Sequence, residues 1–452
     1  MKLFFSTSKI EDHIVNEILI KTALEHSKQA GKVHITYKSN LLNKKILLRN
    51  FSFSIIFLFI KGLIYSILKP SKTSYISFEG INIGRYAVST AYRSYNSYNN
   101  KAYFIFEYLK SLIKCALFYK AIKPHTKNIE LVYIDNPFYE NGIFYDIFSG
   151  LQIPIYHNEY PYGLVRHEAI KQGSYEDALY VQKSHVSEFD ITRGKNQIEI
   201  VAKDTSKIPY MLASFDEYNS TKKYDYVLYS HSFTDAQSAH GHDGAFNNIK
   251  EWMEYTLNEL RLSKVCIKGH PEIYTEGYTA QVIDWDKKLF SEVLEKYKNY
   301  PNIDFIDYPV RNADLLDSLS KETILISHHG NALLEGGALG FKCISSKSSN
   351  WSKNYEIFNE WKNKYEYKDI LSKSFSELIE TNYTELYEYY DVLYFGRGSY
   401  FAENWWVNRV AELSGVSAAD IIKDPNCIND VDRHVVKECV NVLTKELVIN
   451  NF

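Results

Sequence analysis

Apolar and polar positions along the 452 residues alternate between short β-branched or aliphatic runs and longer segments with helical spacing. Met1–Phe5 and Lys32–Tyr37 read as short strands, with Lys9–Ala30 helically spaced between them. Phe51–Leu68, FSFSIIFLFIKGLIYSIL, is strongly apolar. Lys61 and Gly62 interrupt it, and it barely reaches the length of a membrane-spanning helix, so it reads as a buried or interfacial helix. Tyr75–Phe78 leads into Glu79–Arg93, a glycine-bearing loop with two arginines. Tyr103–Ile122 is an apolar helix with lysines on one side. Leu131–Ile134 is a strand closed by the turn Asp135-Asn136-Pro137. Tyr139–Ser149 is helical. Ile153–His157 is the next strand, ending in a polar loop that runs to Gly163.

Phe215–Asp225 is polar and lacks apolar periodicity, which marks an interdomain linker. A second series follows: strands at Tyr226–Tyr229, Val265–Lys268 and Ile303–Ile306, and helices at Asn247–Leu260, Leu289–Tyr297 and Ala313–Ser320. Thr323–Ser346, TILISHHGNALLEGGALGFKCISS, is the densest stretch. It reads as strand Thr323–Ile326, a tight polar turn, helix Ala332–Leu339, a stop at Gly340 and a further strand from Lys342. The tail, Phe375–Phe452, reads as mainly helical, with aromatics crowded at Tyr400–Trp406. Alternating strands and helices predict α/β architecture with parallel sheets: two Rossmann-like lobes facing a cleft. The expected divisions are a first lobe at 1–215, a second at 222–375 and a helical tail at 376–452.

Charge divides these lobes. Met1–Glu130 holds 20 Lys and Arg against 7 Asp and Glu, leaving 32 against 48 in the remainder. A basic first lobe suggests an anionic partner, either a charged glycan or a phospholipid surface; a solvated lysine-rich surface is the plainer reading. The five cysteines, Cys115, Cys266, Cys343, Cys427 and Cys439, include no CxxC pair. They fit a reducing compartment rather than a disulfide frame or zinc site. The first residues, MKLFFSTSKIEDH, carry an apolar run too short for a secretory signal, so a cytoplasmic location is expected.

Candidate chemistry gathers where strands of the second lobe should end. The clusters are Ser230-His231-Ser232-Phe233-Thr234-Asp235-Ala236, Lys268-Gly269-His270-Pro271-Glu272 and Ser327-His328-His329-Gly330-Asn331. In a doubly wound sheet such ends share one rim, so the clusters should converge. The third also opens a helix, whose N–H groups and dipole favour a phosphate.

The Lys-x-His-Pro loop followed by Ser-x-His-Gly-Asn-x-x-x-Glu resembles the donor lobe of GT-B glycosyltransferases that build bacterial surface polysaccharides. The His-Pro pair is similar to that of enzymes using CMP-activated acidic sugars. The segment HSFTDA, with Glu159 upstream and His270 downstream, most resembles the retaining β-Kdo transferases. The resemblance covers roughly residues 75–350. It implies transfer of an acidic sugar, Kdo, from CMP to a glycan or glycolipid in lipopolysaccharide, O-antigen or capsule synthesis. It implies Asp235 as nucleophile, Glu159 as acid/base for the acceptor, and Lys268 and His270 neutralising the leaving CMP phosphate in place of a metal. Ser327, His328, Gly330 and Asn331 would hold the nucleotide, and Glu335 would accept from its ribose hydroxyls. No cofactor or metal is expected beyond the CMP-sugar itself. The expected partners are that donor, an anionic acceptor and peripheral contact with the inner face of a bacterial inner membrane, with no nucleic acid.

Each residue has a plainer reading. Asp235 could cap the segment after it, and Glu159 could be an exposed loop charge. His240-Gly241-His242-Asp243-Gly244 could be a metal cluster but lacks a third well-spaced ligand. Asp243-Gly244 alternatively resembles the acidic-Gly motif of inverting sialyltransferases, with His242 where the first acid should stand. A sugar-nucleotide 2-epimerase and a non-catalytic capsule-assembly scaffold remain rivals.

Overall fold

The computed structural model describes residues 3–6, 33–37, 51–134, 139–151, 153, 155–159, 163–167, 191–203, 216, 218, 221–234, 245–274, 280–349, 351–352, 354–391 and 447–449. In chain order, β1 (Leu3–Ser6), β2 (Val33–Tyr37) and helix α1 (Phe53–Leu68) come first, then the short strands β3 (Ser77–Phe78) and β4 (Ile81–Asn82). Helices α2 (Gly84–Tyr92), α3 (Tyr95–Asn99) and α4 (Lys101–Ile122) lead to β5 (Ile129–Ile134), α5 (Gly142–Gly150), β6 (Ile155–Glu159), β7 (Gly163–His167) and α6 (Ile191–Lys203). The second series is β8 (Tyr226–Tyr229), α7 (Ile249–Glu259), β9 (Val265–Lys268), α8 (Ala280–Tyr297), β10 (Ile303–Ile306), α9 (Asn312–Ser318), β11 (Ile324–Ile326), α10 (Asn331–Ala338) and β12 (Lys342–Ser346). It continues through β13 (Asn359–Trp361), α11 (Lys364–Ser372) and α12 (Tyr383–Asp391), and the chain contributes a last strand, β14 (Leu447–Ile449).

All of these strands but β3 and β4, which pair with each other, form two six-stranded sheets, ordered β14-β2-β1-β5-β6-β7 and β10-β9-β8-β11-β12-β13. The second is parallel throughout. Counted within its own series its order is 3-2-1-4-5-6, the doubly wound Rossmann order, so its topological switch point falls between β8 and β11. The first sheet is parallel except for β7, which runs antiparallel to β6.

Strand alternation explains how the second sheet is covered on both faces. Tyr226, Leu228, Val265, Ile267, Ile324 and Ile326 turn to one side and pack with Trp252, Leu289 and Tyr367 of α7, α8 and α11. Trp252 stacks on Trp361 at 6.3 Å between ring centroids. On the other side, Leu325 meets α10 at Gly336. Cys115, Cys266 and Cys343 are free and buried.

The chain clusters into two compact units that do not follow linear order. One comprises residues 1–87, 108–185 and 395–452; the other comprises 88–107 and 186–394. The expected divisions at 215–222 and 375–376 differ from these. Helix α6 lies before residue 215 yet packs on α10 and α12 of the second unit. Asp216, in the expected linker, bridges to Val310. At the far end β14 adds an edge strand beside β2, so the tail is not purely helical.

Two expected loops are regular structure. Glu79 and Gly80 form a positive-φ turn between β3 and β4, and the remainder of the expected arginine loop is α2. Arg85 donates to both carboxylate oxygens of Asp146 at 2.8 Å, fastening α2 to α5. His157–Glu159 is the end of strand β6, not a loop, because β7 pairs along it as far as Glu159 opposite Gly163. The polar residues there disguised a strand that pairing with its neighbour sustains. The expected helix Lys9–Ala30 and turn Asp135–Pro137 lie outside the described residues, as do the aromatics at Tyr400–Trp406.

Candidate functional site

The three strand-end clusters follow β9, β8 and β11, which are adjacent in that order in the sheet. Their side chains meet. The His231 ring lies 3.9 Å from that of His329 and 5.4 Å from that of His270, centroid to centroid. His329 continues the row to His328, where the two Nδ1 atoms are 3.1 Å apart; one donates and the other accepts. His328 then packs edge-on against Trp252 and Trp361. Four imidazoles therefore run across the switch point, each from a strand end or the turn after it.

Backbone contacts hold these loops in register. The His270 N–H donates to the Ser230 hydroxyl at 2.8 Å, and the Ser230 N–H donates to the Lys268 carbonyl at 2.9 Å. Gly269 sits where a Cβ would lie 2.4 Å from the Tyr274 hydroxyl, so any side chain between Lys268 and His270 would have to displace the end of Tyr274. Gly330, the residue before α10, has φ 136°, a conformation that strains L side chains. It lets the chain reverse from the histidine pair into the helix.

The expected binding residues divide by burial. Asn331 is exposed at the first turn of α10. Ser327 is buried, and its hydroxyl donates to the His329 carbonyl at 2.8 Å, closing the turn on itself. Lys268 and Glu335 are almost wholly buried, at 4% and 3% exposed. Asn312 Nδ2 donates to Glu335 Oε2 at 2.6 Å, so in this state the carboxylate serves the α9–α10 contact. Burial pushes Glu335 up to about 7, against the pull of Asn312 and Lys268. Burial likewise pushes Lys268 down to about 8; Glu335 acts on it through space, with no ion-pair contact between the two. The hydroxyls of Tyr229 and Thr234 are also buried and have no hydrogen-bond partner among the described residues. Perturbed ionisable groups and unsatisfied polar atoms beside a switch point are the usual marks of a ligand site.

Asp286 was invisible to sequence reasoning. It stands on α8 amid ordinary surface-type residues, yet it is 3% exposed. Its carboxylate accepts from the Ser232 hydroxyl and, at 2.9 Å, from the Thr234 N–H. Between them the Phe233 carbonyl accepts from the Tyr98 hydroxyl. Three successive residues before Asp235 are thus tied down. Asp286→Asn offers one acceptor where two are needed and turns an amide N–H₂ toward a donor. We expect stability to fall by roughly 1–3 kcal/mol, read by chemical denaturation; an unchanged midpoint would contradict this assignment.

Asp235 and the His240–Gly244 segment, with Asp243, lie outside the described residues, as does the side chain of Glu159. Among the described residues no group of three His, Cys, Asp or Glu is arranged to hold a metal. No family model and no curated protein matches the chain. Among solved structures it is similar to the KpsC β-Kdo 2,4 transferase of Thermosulfurimonas dismutans, with 14% identity, covering 59% of this chain and 81% of that one, at a TM-score of 0.34. It is also similar to the UDP-GlcNAc 2-epimerase of Methanocaldococcus jannaschii, with 14% identity over 87% and 99% of the two chains and a TM-score of 0.29. A third likeness is to the UDP-forming α,α-trehalose-phosphate synthase of Burkholderia xenovorans, with 8% identity over 90% and 99% and a TM-score of 0.28.

Proposed function

We propose that this protein is a GT-B glycosyltransferase that moves an acidic sugar, Kdo, from CMP to a glycan or glycolipid of a bacterial surface polysaccharide. The observation that carries the reading is the convergence of His231, His270 and His329 at the switch point. Two Rossmann-like units in one chain are the components of a GT-B enzyme, and a switch point is where such sheets bind nucleotides. A row of imidazoles suits a phosphate, of which CMP-sugars carry one and UDP-sugars two.

In this reading the Asp235 carboxylate attacks the anomeric carbon while the bond to the phosphate oxygen breaks and CMP departs. Lys268 and His270 stabilise the charge developing on that phosphate. Glu159 takes the proton of the acceptor hydroxyl, whose oxygen then displaces Asp235 from the face CMP left. Two inversions give retention. Ser327, His328, Gly330 and Asn331 hold the nucleotide. Glu335 would reach the ribose only by giving up Asn312. The acceptor is anionic, and the work is done at the inner face of the inner membrane.

CMP should raise the melting temperature, because a ligand at a hundredfold excess over Kd stabilises by about 2.7 kcal/mol. UDP and GDP should not. Stabilisation by UDP alone would overturn the CMP reading, and conversion of a UDP-sugar without an acceptor would make the protein an epimerase.

A further inference from the structure

Helix α1 has two apolar faces and the fold uses one. Ile55, Leu58, Gly62 and Ser66 are buried. A Cβ on Gly62 would lie 2.7 Å from Leu112 and 3.0 Å from Leu109, so this face lies tight on α4. Phe53, Ile56, Phe57, Ile60, Ile64 and Ile67 recur at the three- and four-residue spacing of a single helical face, directly opposite. All are exposed: Phe53 by 81% and Phe57 by 71%, with Leu68 beyond them at 71%. Water is a poor neighbour for such a stripe, and contiguous apolar surface of this kind marks a docking face.

Charge says what docks. From His26 to Phe78 the chain has no Asp or Glu and nine Lys or Arg. Lys61, Lys69 and Lys72 are exposed on or just after the helix. We propose that α1 lies in the surface of an anionic phospholipid bilayer. Its apolar stripe would enter the headgroup–acyl boundary, with the lysines against the lipid phosphates. The helix is about 24 Å long, and no helix among the described residues is long and apolar enough to cross a membrane. A second copy of the chain fits less well. A two-fold contact through this face would cross near the helix midpoint and bring Lys61 toward its own copy. The proposal deepens the membrane part of the function given above and does not depend on the sugar donor.

Vesicle flotation tests it without nucleotide. The full chain should float with vesicles of phosphatidylcholine and phosphatidylglycerol and stay down with phosphatidylcholine alone. Added salt should weaken flotation, since exposed charges are screened within about 10 Å at 0.1 M. Phe57→Glu with Ile64→Glu should abolish it. Both positions are exposed, so melting temperature and circular dichroism should stay as in the wild type. Wild-type protein that ignores anionic vesicles, or a double variant that still floats, overturns the proposal. Equal flotation on neutral vesicles overturns the part played by charge. A wild-type dimer that the same variant converts to monomer, with no flotation, would assign the face to self-association. The CMP thermal shift is measured separately, so failure here and failure of the donor reading remain distinct.

Discussion

Lys268→Met should stabilise the free protein while removing its response to CMP. The lysine is the last residue of β9, buried against the side of the sheet that α10 covers, with its ammonium held down to about 8 by desolvation. A depression from 10.5 to about 8 corresponds to about 3 kcal/mol by which burial disfavours the charged form. Methionine keeps the stem and discards that penalty. The sign can be followed with pH. Below about 8 the lysine is protonated both folded and unfolded, and the cost is carried in full. Between about 8 and 10.5 only the unfolded chain holds the proton, so wild-type stability recovers as pH rises. The gap in melting temperature between variant and wild type should therefore be widest near pH 7 and close toward pH 10. Glu335 loses a through-space cation in the variant and moves further toward its neutral form, which limits any opposing effect. The same change should weaken CMP binding by roughly 2–5 kcal/mol, the cost of removing one partner from a buried charge pair. A variant less stable than wild type at pH 7, or one that CMP still protects, would show that the ammonium is structural.

Asp235→Asn should leave CMP binding near the wild-type level and lower transfer by about 10⁴-fold or more, as removal of a covalent nucleophile does elsewhere. Asparagine keeps the size of the side chain and loses the charge and most of the nucleophilicity. The residues before it, Ser232 to Thr234, are fixed by Asp286 and Tyr98, so the substitution should not loosen the loop. Wild-type protein given CMP-Kdo without acceptor should carry one added Kdo on the peptide containing Asp235, read by mass spectrometry. Retained activity in Asp235→Asn together with loss in Asp243→Asn would instead make the enzyme inverting, with Asp243 as its base.

Much of the second unit was legible before any coordinates. Tyr226–Tyr229, Val265–Lys268 and Ile303–Ile306 are strands at the predicted residues. Tyr226–Tyr229 and Val265–Lys268 are buried at every position, and short runs of such apolar content leave little else for those two segments to be. The strand-end clusters were visible for the same reason: polar residues at the end of a buried strand stand out. Polar strands, turns and burial were not so readable. Glu159 looked like a loop residue because the pairing that makes it a strand comes from β7. The last strand, β14, joins the edge of the first sheet from the far end of the chain, a contact no local pattern can announce. Nor can a linear reading tell a buried carboxylate from a surface one. Asp286 and Glu335 have the same residue types and helical settings as many exposed acids, and only packing makes one a clamp on the Ser232–Thr234 loop and the other a partner of Asn312. The types and spacing of residues along the chain set which segments are strands and helices and which polar groups end them. Which of those groups share a site, and with what charge, depends on burial and on neighbours distant in sequence, and these exist only once the sheets have assembled.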